Sequence, residues 1–369
     1  MKFISTKENL ALGLQIVQRA VSPKNPLPIL TGIKLATGDG CLELTATDLE
    51  FGVRCIIPVE IIEHGDIVLP SRYITELIKK LPDLPVYFET DRFSTGAVIK
   101  YGQSETIING FPADEFPHVS FESESLDLIF ESASFKDAVR KVSYAVFQEE
   151  TQPVYTGILL EIGKSEVNLV ATDTHRLARY TLPLEQESIQ DINLIIPGKT
   201  LIELTKVIAE SETEIHFSLI GNQVLFKAGN ISFISRLIDG KFPNYRQVIP
   251  SDYISRVCFK TRDLLEATDR ASLMARERAP VIKLYIDQSI LSVKVSTEAG
   301  RVYEEVTINH EGEPLQVAFN ARYLSDALRI IGTEDVEMEF TGPLSPSVLR
   351  PAGIANYFSL LLPVRVQEE

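Results

Sequence analysis

The chain has no tryptophan, three methionines and three cysteines in 369 residues. Cys41, Cys55 and Cys258 are an odd, sparse set without CxxC spacing, which excludes a disulfide framework and a cysteine metal cluster. Buried thiols are expected; the alternative is that Cys41 and Cys55 face each other across a hairpin. The histidines, His64, His118, His175, His216 and His310, share no ligand spacing, so no metal site is expected. No apolar run approaches the roughly 18 residues of a membrane span. The opening MKFISTKENLALGL lacks the basic start and unbroken apolar stretch of a signal peptide, so a cytoplasmic location without a membrane partner is expected. Positive charge is also short: 36 Lys and Arg against 51 Asp and Glu give −15, the opposite of a compact basic nucleic-acid module. No Gly-rich phosphate loop, nucleophile elbow or HExxH is present, so neither catalytic residues nor a cofactor are expected.

What the chain does contain is a repeat. LPSRYITELIKKL (Leu69 to Leu81), IPGKTLIELTKVI (Ile196 to Ile208) and FNARYLSDALRII (Phe319 to Ile331) lie 127 and 123 residues apart. FISTKENLALGLQIV, FESASFKDAVRKVSYAV and FKTRDLLEATDRASLMA place Leu10, Phe135 and Leu264 at equivalent positions. LELTATD ending at Asp48, VNLVATD ending at Asp173 and LSVKVST ending at Thr297 are a third set. LTGIKL answers YTGILL, and the FP at Phe116 recurs at Phe242. A period this long makes each unit a whole domain rather than a solenoid repeat. The expected domains are 1–122, 123–252 and 253–369, with HVSFESESLDL and VIPSDYIS as linkers.

Each unit reads as α+β. An opening strand precedes a helix, with apolar stripes Leu10, Leu14, Val17 and Phe135, Val139, Val142, Val146. Alternating strands follow, such as Leu42, Leu44 and Ala46 on one face. A second helix then carries Ile74, Leu77, Ile78 and Leu81, with Pro70 at its start, and further strands close the unit. Two helices per domain, packed on antiparallel sheets, are expected.

The faces opposite these stripes carry a pattern: Arg72, Glu76, Lys79; Lys199, Glu203, Lys206; Arg322, Asp326, Arg329. One such helix reads as a solvated face held by i,i+4 pairs. Three in register suggest a shared surface. The helical segments 7–21, 71–81, 134–146, 198–208, 262–276 and 321–331 hold 15 basic and 8 acidic residues, a balance of +7 that leaves −22 elsewhere. Charge is segregated between the helices and the rest.

The markers resemble the bacterial DNA polymerase III beta subunits, the sliding clamps, along the whole chain. They include the MKF opening, PLPILTGIKL (Pro26 to Leu35), TATDLE (Thr45 to Glu50), FPADEFP (Phe111 to Pro117), VATDTHRLA (Val170 to Ala178), DGKFPNYRQVIP (Asp239 to Pro250) and the ending YFSLLLPVRV. The resemblance implies three DNA-clamp domains forming half of a six-domain ring, a head-to-tail homodimer around duplex DNA. It implies a non-catalytic processivity subunit that tethers the replicative polymerase. It also implies docking of the clamp loader, repair polymerases and mismatch-repair proteins through short linear motifs.

Residue by residue, Lys24 and Arg72 match DNA-contacting positions; the helix faces add Lys79, Lys80, Arg140, Lys141, Lys199, Lys206 and Arg322. TDTHRL invites a catalytic or metal reading through Asp173 and His175. In the family this segment instead lines a peptide pocket, matched by Tyr155, Thr172, Thr174, His175, Arg176, Leu177, Pro243, Arg246, Val248, Leu360 and Leu362. Tyr155 stands where members often have Leu, and Gln247 where some have Arg. For the dimer contact the resemblance points to Thr106 to Asn109, with Ile107 and Ile108 as its apolar part, meeting Leu273 and Met274; which isoleucine faces outward is open. Glu298, Glu304 and Glu305 are rim charges of small expected weight. An enzyme using TDTH on this scaffold, or a monomeric scaffold for proteins alone, are the alternatives.

Overall fold

The computed structural model describes residues 1–22, 26–90, 95–122, 127–149, 151–184, 191–275 and 280–366. Among them are six α-helices: α1 (Lys7–Val17), α2 (Ser71–Lys80), α3 (Ser132–Ser143), α4 (Gly198–Val207), α5 (Thr261–Ser272) and α6 (Ala321–Ile331). The same order occurs three times: a strand, a helix, a run of five, four or five strands, a second helix, then three strands. No helix among the described residues is long and apolar enough to cross a membrane.

The chain divides into two compact units, residues 1–133 with 199–237, and residues 134–198 with 238–369. The middle third contributes to both. In the first unit a five-stranded sheet ends at the edge strand Ser104–Asn109, and an eight-stranded sheet joins Ile231–Arg236 to Phe51–Pro58. In the second unit a nine-stranded sheet joins Arg176–Pro183 to Tyr357–Leu361, and a four-stranded sheet ends at the edge strand Gly300–Thr307. Every pairing is antiparallel, so a strand needs apolar residues on only one face, and the alternating runs in the sequence supply that.

The predicted stripes are the core, except that Leu77 is only half-buried. Leu10, Leu14, Val17, Phe135, Val139, Val142 and Val146 are buried, as are Leu42, Leu44, Ala46, Ile74, Ile78 and Leu81. Helix α1 starts where the Thr6 side chain accepts the Asn9 N–H at 3.2 Å. It packs so close to the sheet that a Cβ on Gly13 would sit 2.6 Å from Leu44 Cδ1. Helix α6 is capped by Asn320 and stops at Gly332, whose φ of 73° closes the last turn in the left-handed region.

Two expectations need correction, and the alternative weighed for the cysteines fails. Cys41 lies opposite Pro58 and Cys55 opposite Leu44, so the two thiols do not face each other across their hairpin. Only Cys55 is fully buried, which pushes its thiol up to about 12. The stretch read as the first linker is anchored at both described ends: Phe121 is buried with the Arg54 guanidinium 4.9 Å from its ring, and Asp127–Glu131 is already a strand.

Leu14 is fully buried where α1 meets the sheet. Leu14→Ala is expected to cost about 2–5 kcal/mol through lost transfer energy and a residual cavity, seen as a lower urea midpoint with native-like circular dichroism before the transition.

Candidate peptide pocket and basic helix faces

The segment Thr172 to Leu177 is a turn built around one carboxylate. Asp173 Oδ1 accepts the backbone N–H groups of His175 at 3.0 Å and Arg176 at 2.9 Å, while Oδ2 accepts Arg176 Nε at 2.9 Å. The Thr172 hydroxyl donates to the Arg176 carbonyl at 2.7 Å and accepts the Thr174 N–H at 3.2 Å. These bonds hold Thr174, a β-branched residue, at a φ of 75°.

Arg176 reaches away from the turn to α6, where its Nη1 donates to Asp326 Oδ2 at 2.7 Å. Its guanidinium lies 4.6 Å from the Tyr323 ring centre and 5.1 Å from that of Tyr144. Burial works against its charge, but the Asp326 and Asp173 carboxylates outweigh that and hold its pKa above the ordinary value. The His175 ring stacks on Tyr323 at 6.0 Å. Asp173 is therefore engaged structurally, and the described residues hold no group of three or more His, Cys, Asp or Glu side chains fit for a metal.

Beside this turn lies a cavity of about 230 Å³, and ten of the eleven expected pocket residues line it. Its floor is the outer face of the sheet, with Leu159, Val170, Leu177, Val348, Phe358 and Leu360 in one apolar cluster under Phe242 and Tyr245. Arg246 is the exception. It pairs with both oxygens of Glu161, at 3.1 and 3.0 Å, and lies over the Tyr245 ring rather than in the cavity wall. Asn244 and Tyr245 line the cavity in addition. Tyr245 was legible as the aromatic after the FP turn; its partner was not. Its hydroxyl donates to Glu161 at 2.5 Å, and burial together with that carboxylate raises its pKa.

The first unit contains the same turn. Asp48 Oδ1 accepts the N–H groups of Glu50 and Phe51, each at 3.0 Å, and Leu49 takes a φ of 79°. There Gly52, Glu50 and Arg236 stand where the other copy has Leu177, His175 and Leu362, and the cavity is only about 120 Å³. The turn belongs to the fold; the apolar pocket is made by side chains.

The basic faces differ from a simple solvated helix. In none of the three copies does the central carboxylate pair with the cation four residues before it. Glu76 meets Lys79 at 3.4 Å, Glu203 meets Lys206 at 2.8 Å and Arg19 at 2.9 Å, and Asp326 meets Arg176. The two cations hold Glu203 below the usual carboxylate range against the upward push of burial. The leading cations Arg72, Lys199 and Arg322 are thus left without an ion pair among the described residues, as is Lys80. Each leading cation is the second residue of its helix, and none of these helices has an acid in its first turn. A cation there opposes the helix dipole by about 0.3–1 kcal/mol, yet the arrangement recurs three times. Arg140 bonds Asp137 at 2.5 Å and remains exposed. Lys141 must be struck from the surface set: it is packed 5.5 and 5.3 Å from the Tyr180 and Tyr357 rings and paired with Asp137 at 3.3 Å. Lys24 lies outside the described residues.

At the edge strand Ser104–Asn109, Ile107 is 63% exposed whereas Ile108 is 7% exposed and belongs to its own core. Thr106 is half-buried and hydrogen-bonded to Tyr101 at 3.1 Å. Leu273 is 82% and Met274 39% exposed. Glu304 is no loose rim charge, since Arg270 grips both its oxygens at 2.9 and 2.8 Å.

Three successive matches cover the chain: the N-terminal, central and C-terminal domain families of DNA polymerase III beta subunits, over residues 1–120, 130–244 and 246–365. The chain is therefore a three-domain DNA clamp subunit by fold. It is 38% identical to the beta sliding clamp of Staphylococcus epidermidis and 37% identical to that of Staphylococcus aureus, with 99% of each chain covered. Among solved structures, the Bacillus subtilis DNA polymerase sliding clamp superposes with a TM-score of 0.96 at 34% identity over the whole of both chains. The Pseudomonas aeruginosa sliding clamp bound to griselimycin gives 0.95 at 28% identity, covering 99% of this chain and all of the other. The chain belongs to the bacterial DNA polymerase III beta-subunit family, the beta sliding clamps.

Asn tolerates the left-handed conformation that Thr174 is forced to adopt. Thr174→Asn is expected to stabilise the protein by about 1 kcal/mol, read as a higher thermal unfolding midpoint.

Proposed function

We propose that this chain is a cytoplasmic, non-catalytic sliding clamp of three domains, with boundaries near residues 122 and 252. In this reading two copies close head to tail around duplex DNA and tether the replicative polymerase. The observation that carries the DNA contact is the set of unpaired cations in the first turns of α2, α4 and α6. Helix N-termini with exposed Arg or Lys suit phosphates, and phosphate contacts attract without reading sequence, so they permit sliding. Retention is topological, and a tethered polymerase rebinds at high effective concentration. The apolar cavity beside Leu177 and Leu360 is the docking site for short peptide segments of the polymerase, the clamp loader, repair polymerases and mismatch-repair proteins.

Repeat logic supports ring closure. In the first unit Cys55 pairs with Ile231, and in the second Tyr180 pairs with Tyr357. The third equivalents are Glu304 and Ser104. Gly52, Leu177 and Arg301 lie opposite the aligned Thr47, Thr172 and Ser296, and each precedes its counterpart by three residues. The hairpins before Ile231 and Ser104 both turn over two residues. Glu304 meeting Arg270 of α5 where Tyr180 meets Lys141 of α3 agrees with this alignment. Both strands are open edges, which stable proteins cover or protect.

Two outcomes are expected. With Glu105→Cys and Tyr303→Cys, placed opposite each other by this register, oxidation gives a disulfide-linked dimer on non-reducing gels, while the shifted pair Glu105→Cys and Glu304→Cys does not. Neutralising Arg72, Lys80, Lys199 and Arg322 together weakens retention on nicked circular DNA and flattens its salt dependence, while sizing still reports a dimer. Clamps on circular DNA are released when the DNA is linearised; equal retention on both forms contradicts a topological grip.

A further inference from the structure

We propose that the peptide site continues past Tyr155 into a second, cationic compartment that takes an acidic side chain flanking the apolar anchor. The inference rests on reading the first cavity as a peptide pocket. Next to that cavity lies another of about 260 Å³, lined by Gln152, Pro153, Val154, Tyr155, Lys241 and Pro243. Tyr155 and Pro243 are walls of both cavities, so the two are neighbouring compartments of one groove within one compact unit.

The compartment is built by close approach of two short segments. Pro153–Thr156 is a single 3-10 turn entered through proline. The segment carrying Lys241 comes up against it through Gly240, whose φ of 140° no other residue adopts easily; a Cβ there would stand 2.6 Å from Val154 Cγ2. Two prolines and a glycine thus give the wall its shape before any ligand arrives, which lowers the ordering cost of binding.

Charge availability identifies the ligand. Three cations stand around the groove. Arg176 is engaged by Asp173 and Asp326, and Arg246 is engaged by both oxygens of Glu161. Lys241 is exposed, makes no ion pair among the described residues, and has no carboxylate among the other residues lining its compartment. A peptide carboxylate is the group that complements it. An extended peptide advances about 3.3 Å per residue, so with a single ring between the compartments the acidic residue falls roughly two positions from the anchor.

The test uses the intact dimer and four labelled octapeptides, each with one Leu-Leu anchor and either Glu or Gln two positions before or after it. Anisotropy titrations at low salt are expected to show tighter binding of Glu than Gln, roughly three-fold, on one side of the anchor, as for an exposed ion pair. The preference vanishes in Lys241→Ala, reverses in Lys241→Glu, and shrinks with added salt, while the Gln peptides bind all three proteins alike. Equal binding of Glu and Gln peptides to the unaltered protein overturns the acidic compartment and leaves the apolar pocket standing. Failure of all four to bind overturns the peptide pocket and this extension together. A Glu preference that survives Lys241→Ala overturns the assignment to Lys241.

Discussion

A β-strand at the edge of a sheet has unpaired N–H and C=O groups that must find partners. In both compact units the edge strand of one repeat is completed by the last strand of the next, Phe51–Pro58 by Ile231–Arg236 and Arg176–Pro183 by Tyr357–Leu361. These pairings make continuous sheets of eight and nine strands from half-sheets of four or five. They also bring the end of one repeat beside the Thr-Asp turn of another, which is why a pocket can form at that place. Ser104–Asn109 and Gly300–Thr307 stand at the edges of the five- and four-stranded sheets, with a strand partner on one side only among the described residues.

At the pocket, the backbone geometry and the binding surface have separate origins. Asp48 and Asp173 organise the same turn and force the same left-handed position, so the turn cannot by itself explain the apolar cavity. Leu177 for Gly52, Leu362 for Arg236 and His175 for Glu50 convert a small polar hollow into an apolar one. Arg176 then fixes the turn to α6 through a buried, doubly paired and doubly stacked guanidinium. Such a group is costly to leave unpaired, so turn and helix hold each other in place.

Much of this was legible in the sequence because periodicity reports which face is buried. The stripes of α1, α2 and α3 and the alternation of the strands depend on local geometry alone. Ten of eleven pocket positions came through the resemblance, while Tyr245 and Asn244 lie in the motif that carried it. The misses were long-range. That Glu161 takes Arg246, that two tyrosine rings take Lys141, and that Arg176 takes Asp326 depend on pairing between strands and helices far apart in the chain. Helical spacing suggested that Glu203 serves Lys199; it pairs instead with Lys206 on its own helix and, through tertiary packing, with Arg19. Likewise, only the register of the edge hairpin decides that Ile107 rather than Ile108 points outward.

The third copy of the Thr-Asp turn departs from the other two. Thr297 replaces the organising aspartate, Gly300 stands where the other copies have Phe51 and Arg176, and the chain reverses in a tight two-residue bend over Glu298 and Ala299. A seam formed by this repeat would have strand pairing and a few apolar side chains, without the buried ionic clasp that Arg176 provides inside the chain.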